Sequence, residues 1–363
     1  MGIIGLPQSG KTTVFNALTA GTADTISHAA ANQPNIGIVK VPDSRLWVLN
    51  DMFHPRKVVP AEARYIDIGA SVKGLAQNKG FGGELLNQLS AVDTLIAVVR
   101  AFEDDSIPHP EGSLDIRRDI ATLEMELAFS DLAIIERRLE RITDSLKAAK
   151  QSERQGFLKE RETILTFKTA LEDEKPMREM TFDTAGARIV SNFQFLTAKP
   201  LLIVVNIGEG QLAGAEALEA ELNAACPGHK CRVTALCGKL EEELAQMDQE
   251  EASVFREDYG LKESGLERAI RLSYEISDMI SFFTVGEDEC RAWPIAKGTP
   301  ALKAAGKIHS DIEKGFIRAE SIAYADLIAC GGLAEARKQG LLRLEGKDYT
   351  VQDGDIINFL FNV

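Results

Sequence analysis

The sequence predicts an α/β fold: a mostly parallel sheet covered on both faces, an inserted helical hairpin, and a small mixed sheet at the end. Three observations predict it. Near-continuous apolar runs such as Val92–Val99 and Pro200–Val205 are separated by helical stretches, the pattern of strands buried on both faces. A glycine-rich loop joins the first apolar run to a helix. From about residue 114 to 198, apolar residues recur at threes and fours instead.

A chain of 363 residues exceeds one ordinary domain, and the pattern changes divide it at 1–113, 114–198, 199–279 and 280–363. The 45% apolar and 26% charged content is that of a soluble globular protein and excludes a fibrous or wholly disordered one. No apolar run approaches the roughly 20 residues needed to cross a bilayer. Met1-Gly2-Ile3-Ile4-Gly5 lacks the basic lead of a secretion signal, so a cytoplasmic protein is expected. With 55 acidic residues against 41 basic, the net charge of −14 repels nucleic acid on average. Any RNA contact therefore needs a local basic patch. Cys226 and Cys231 stand close together, but no second pair completes a zinc set, and reduced thiols are expected.

Gly5-Leu6-Pro7-Gln8-Ser9-Gly10-Lys11-Thr12 satisfies G-x-x-x-x-G-K-[ST] at every fixed position. It follows the short strand Ile3-Ile4 and runs into Thr13-Val14-Phe15-Asn16-Ala17-Leu18, which reads as a helix start. That order suits phosphate binding. Glycines let backbone N–H groups curl round phosphate oxygens, and the helix N-terminus adds partial positive charge. Gln8, Ser9, Gly10, Lys11, Thr12 and Thr13 are the expected phosphate contacts. Lys11 would reach the β- and γ-phosphates, and Thr12 would coordinate Mg²⁺. Ala63–Ile68 alternates like a strand, and Asp67 near its end is placed to hold a Mg²⁺-bound water.

Asn206-Ile207-Gly208-Glu209 directly follows the 200–205 strand. Guanine-specific enzymes carry Asn-Lys-x-Asp there, with the carboxylate accepting two guanine N–H donors. The longer Glu209 arm does not suit that pairing, and an unpaired buried polar group costs about 1–3 kcal/mol. Strict guanine preference is not expected.

Ile135, Leu139, Ile142 and Leu146 form one apolar stripe, and Phe157, Ile164, Phe167 and Leu171 another. They predict two long helices paired antiparallel, with the tip at Ser152–Gly156. Arg137, Arg138, Arg141, Lys147, Lys150 and Arg154 form either a basic strip for RNA or a solvated surface. In the last 80 or so residues, Arg291–Ile295, Leu341–Leu344, Tyr349–Val351 and Ile356–Phe361 read as strands. Ala301–Lys307 and Ser310–Ile312 look helical, which suggests a β-grasp interaction module.

In this order the elements closely resemble the Obg-like ATPase (YchF) family over nearly the whole chain. The carrying stretches are Gly5–Leu18, Asn35–Asp43, Arg100–Asp104, Ser281–Thr284, Gly315–Glu320 and Leu344–Tyr349. The resemblance implies a translation-factor-class P-loop ATPase with a C-terminal TGS domain that associates with ribosomes or RNA. It further implies that Asn206 and Glu209 line the base pocket, that Cys237-Gly238-Lys239 closes over the base, and that His109 occupies a loop implicated in hydrolysis. Departures from the family pattern leave alternatives open. Gln8 stands where potassium-activated relatives carry Asn, so potassium is an open question. Ala31 falls near the Mg²⁺-sensing threonine of the first switch. Ala70 and Ser71 follow Asp67-Ile68-Gly69, where the family has Asp-x-x-Gly and an apolar residue. A nucleotide-binding module with little turnover and a GTPase remain the competing readings.

Overall fold

The computed structural model describes residues 1–20, 35–69, 82–226, 228–261 and 263–362. Ala31, Ala70 and Ser71 lie outside the described residues. The strands are β1 (Gly2–Gly5), β2 (Asn35–Lys40), β3 (Lys57–Val59), β4 (Glu62–Asp67), β5 (Leu95–Arg100), β6 (Leu201–Asn206), β7 (Cys231–Leu236), β8 (Met279–Val285), β9 (Glu289–Ala296), β10 (Phe316–Ala323), β11 (Arg343–Glu345) and β12 (Asp355–Phe361). The chain divides into two units, Met1–Ile38 with Arg64–Ser277 and Val39–Ala63 with Asp278–Val363.

The first unit is built on a sheet of order β2-β4-β1-β5-β6-β7. β1 pairs in parallel with β4 and β5, and β5, β6 and β7 continue in parallel. Every residue of β5 and β6 is buried, which is why these strands read as unbroken apolar runs rather than alternating ones. The β5 strand is shorter than the apolar run predicts. Its pairing with β1 opens at Gly2 opposite Leu95, so Val92–Thr94 lie ahead of the ladder. Since β1 has β4 on one side and β5 on the other, the strand order reverses around it. In open α/β sheets, ligands bind beyond the carboxyl ends of strands at such a point.

The helices that matter are α1 (Lys11–Ala20), α2 (Ser44–Phe53), α3 (Gly82–Ala91), α4 (Ile116–Ala148) and α5 (Gln151–Glu172). Asp115 caps α4 by accepting the Arg118 N–H at 3.0 Å. The two stripes expected of the arm meet: Ile135 and Ile142 of α4 pack with Ile164, Phe167 and Leu171 of α5. Phe167 sits edge-on to Phe182 and Phe195, at centroid distances of 5.5 and 6.3 Å. The turn, however, is at Ala149–Lys150 rather than Ser152–Gly156, which form the first turns of α5. Glu153 accepts the Lys150 N–H and starts the helix there, while Gly156 costs a solvated helix only about 1 kcal/mol.

The second unit has a mixed sheet of order β11-β10-β12-β8-β9-β3. A helix over Ala301–Ile308 covers it, pressing Ala301, Ala304 and Ala305 onto a core with Phe282, Ile295, Ile357 and Phe359. Small side chains let this helix lie close to the sheet. Tyr349–Val351 is not a strand and makes only an isolated bridge, Thr350 to Pro300. Residues 39–63, expected with the nucleotide-binding part, belong to this second unit. β3 extends the sheet beside β9, and Arg45 binds Asp353 through its two terminal guanidinium nitrogens at 2.7 and 3.2 Å. Pairing between segments more than 200 residues apart leaves no local periodicity to read.

No helix among the described residues is long and apolar enough to cross a membrane.

Candidate nucleotide site

The glycine loop leaves β1 at Gly5 and enters α1 at Lys11. Gln8 and Gly10 have φ of 61° and 87°. Residues in this left-handed region turn successive N–H groups toward a common point, the concavity that binds anions. Gly10 tolerates no side chain, because a Cβ there would overlap the Asn206 amide nitrogen. Val14 N–H donates to Gly10 O at 3.0 Å and closes the first helical turn.

Lys11 and Thr12 point to different partners. Lys11 Nζ donates to Gly5 O and Leu6 O at 3.2 and 3.3 Å, lying back along the loop. Burial lowers its pKa, and Asp67 partly offsets that. An arriving polyanion would restore the favoured charge. Thr12 Oγ1 donates to Asp67 Oδ2 at 3.2 Å. Asp67, 4% exposed and opposite Ile3 at the end of β4, leaves its Oδ1 without a partner among the described residues. The Ser9 hydroxyl is likewise buried and unpaired among the described residues. Two orphaned oxygens at the mouth of one loop are costly unless a ligand or water completes them. Thr13 is half-buried on the next position of α1.

The structure gives Asn206 a task that the base-pocket expectation did not include. Its side-chain amide donates to Ser9 O at 3.1 Å and accepts from Gly238 N at 3.0 Å. It therefore ties the glycine loop to the turn after β7, and its side-chain amide already has a donor and an acceptor within the protein. Gly238 opens the helix Gly238–Leu244, with Cys237 just ahead of it, and burial raises the Cys237 thiol pKa. Glu209 begins the short 3₁₀ helix Glu209–Gly214 after β6 and is exposed, with Lys239 Nζ 3.6 Å from its carboxylate. These residues lie together at the carboxyl edge of the sheet because β6 and β7 pair in register to Asn206 opposite Leu236.

His109 lies in the loop between β5 and α4. Its Nε2 is 2.9 Å from Asp119 Oδ2, and its Nδ1 accepts the Glu111 N–H at 3.2 Å. Arg118 holds the other Asp119 oxygen. Both ring nitrogens are occupied, so His109 has no free nitrogen for a water in this conformation.

Phe102, part of the Arg100–Asp104 stretch but given no role by the sequence, stands beside the glycine loop. The Arg100 guanidinium stacks on its ring, 4.6 Å from the centroid. The ring's Cε1 is 3.8 Å from where a Gly10 Cβ would stand. The available signal was an aromatic side chain two residues past a strand that ends at this edge.

Among the described residues, no three His, Cys, Asp or Glu side chains cluster as a metal cage. Thr12 and Asp67 supply two protein oxygens, which fits Mg²⁺. That ion takes one or two protein ligands and completes its shell with water and substrate phosphate.

Comparison with known proteins extends this geometry. Residues 279–362 match the YchF-GTPase_C family model, described as a protein of unknown function (DUF933). The chain is 42% identical over 365 residues to the ribosome-binding ATPase YchF of Bacillus subtilis, covering 100% of this chain and 99% of that one. To the ribosome-binding ATPase YchF of Haemophilus influenzae it is 38% identical over 363 residues, with the same coverage. The solved YchF GTPase of Schizosaccharomyces pombe superposes with a TM-score of 0.85 at 31% identity, over 99% of this chain and 97% of that one.

Proposed function

Because the chain belongs to the YchF family, we propose that it is a cytoplasmic ribosome-binding ATPase whose glycine loop holds the triphosphate and whose helical arm and second unit contact the ribosome or its RNA. The observation that carries the nucleotide reading is the pair of buried oxygens unpaired among the described residues, Ser9 Oγ and Asp67 Oδ1, beside a left-handed glycine loop.

In this reading the N–H groups of residues 8–13 cradle the β- and γ-phosphates, and Lys11 Nζ exchanges its carbonyl partners for phosphate oxygens. Thr12 would hold Mg²⁺ directly and Asp67 through water; the ion supplies charge neutralisation to the phosphate oxygens. Hydrolysis is attack of water on the γ-phosphate, a step that needs placement and charge stabilisation more than covalent help. His109 positions that water after leaving Asp119. ATP rather than GTP is favoured by the Lys239 ammonium beside Glu209. Guanine needs a carboxylate placed to accept two N–H donors, whereas this one is a methylene longer and has a cation beside it.

Side-by-side ATP and GTP isotherms with phosphate release on one sample test the proposal. Tighter ATP binding is expected, with release abolished by Lys11→Ala. Ribosome co-sedimentation should differ between ATP and ADP. The occupied His109 ring favours one second reading, a nucleotide-dependent binding module with slow turnover. Stoichiometric ATP with no release above the Lys11→Ala control would select it.

A further inference from the structure

The turn between the helix Ala215–Asn223 and β7 brings two thiols together. Cys226 Sγ and Cys231 Sγ are 2.6 Å apart, little more than the ~2.05 Å of a disulfide bond. Both are free; Cys226 is half-buried and Cys231 is 4% exposed. Both line a cavity of about 700 Å³ with Glu124, Met125, Leu222 and Val233. Arg178, whose side chain is 2% exposed, pairs there with Glu124. Its Nε has no hydrogen-bond partner among the described residues.

These surroundings divide the thiols into two roles. The hydrogen bond from Cys231 draws the Cys226 thiol below its usual range. That same bond, together with burial, holds Cys231 above it. Cys226, half-buried where Cys231 is 4% exposed, is the thiol a reagent entering the cavity meets first, so it is the nucleophile and Cys231 the resolving thiol. Arg117, Lys175, Glu124 and Glu179 all line the cavity, a mixture of charge that favours a small neutral reagent over an anionic one.

We propose that Cys226 and Cys231 form a reversible redox-modification site, closed to a disulfide by a hydroperoxide. The Cys226 thiolate attacks one peroxide oxygen; an S–O bond forms, the O–O bond breaks, and the departing hydroxide takes a proton and leaves as water. Cys231 then attacks the sulfenic sulfur; the S–S bond forms, the S–O bond breaks, and the hydroxyl leaves as a second water with the proton from Cys231. Two thiols and one hydrogen peroxide become one disulfide and two waters, the sulfurs losing the two electrons that the peroxide oxygens gain. A dithiol reductant reverses the change.

The test treats the full chain with graded hydrogen peroxide and reads intact mass and non-reducing peptide maps. Cys330 serves as the internal reference, since it is also half-buried but, among the described residues, hydrogen-bonds only to backbone oxygens. The expected result is loss of two hydrogens, a 226–231 linkage, and recovery with dithiothreitol, at a dose that leaves Cys330 unmodified. Cys231→Ser should strand Cys226 as a sulfenic acid that dimedone traps, and Cys226→Ser should leave Cys231 reduced. Oxidation of Cys330 before the pair, linkage to any other cysteine, or direct passage of Cys226 to a sulfinic acid would each overturn the proposal. The wild-type map decides alone should either variant fail to fold.

Discussion

Replacing Asn206 by alanine separates bracing of the glycine loop from reading of the base. The side chain is 4% exposed and joins two backbone groups, Ser9 O and Gly238 N, at 3.1 and 3.0 Å. Each group left unpaired costs about 1–3 kcal/mol, and water entering the space recovers part of it. A stability loss of about 2–4 kcal/mol is therefore expected, a large share of the 5–15 kcal/mol that typically holds a protein folded. Thermal unfolding followed by circular dichroism measures it. The sharper readout is inorganic tripolyphosphate, which has phosphates but no base. If Asn206 shapes the loop, a penalty of about 1–2 kcal/mol should weaken tripolyphosphate and ATP alike, roughly five- to thirtyfold. Titration calorimetry on both ligands decides. Weaker ATP with tripolyphosphate unchanged would refute the bracing argument and return Asn206 to the base.

Four further outcomes are expected. Burial pushes the Asp131 carboxyl up to about 6 from 3.8 despite its hydrogen bonds from Leu196 and Thr197. The folded chain then holds this proton more tightly than the unfolded one, so the contribution is complete below about pH 4 and lost as pH rises through about 6; Asp131→Asn should flatten the urea midpoint against pH in that window. Phe167→Ala, at a site 3% exposed between two aromatic neighbours, should cost about 3–5 kcal/mol and appear first as faster amide exchange along α5. Asp119→Asn should weaken the hold on His109 and raise phosphate release at unchanged ATP affinity, and adding His109→Ala should abolish the gain. Lys239→Ala should free Glu209 and narrow the ATP-over-GTP preference, as measured by competition; an unchanged ratio would show that the ion pair plays no part in base choice.

The site was legible in the sequence wherever its parts are adjacent. The phosphate loop, its helix and the strand before it occupy one short stretch, and their chemistry is carried by backbone direction and a few obligatory side chains. The apolar stripes of the arm were legible too, since helical period is local. Its tip was misplaced because Ser152 and Gly156 resemble loop residues, yet a solvated helix tolerates both.

What local patterns determined by themselves was therefore the class of fold and the presence of an anion cradle. Tertiary structure alone decided that Asn206 clamps the loop, that His109 is tied to Asp119, that Lys239 stands beside Glu209 and that residues 39–63 extend a sheet formed mainly from the last 86 residues. The physical reason is common to all four. Each depends on the spatial approach of groups carried by different elements or different turns, and such proximity leaves no period, spacing or composition in the chain.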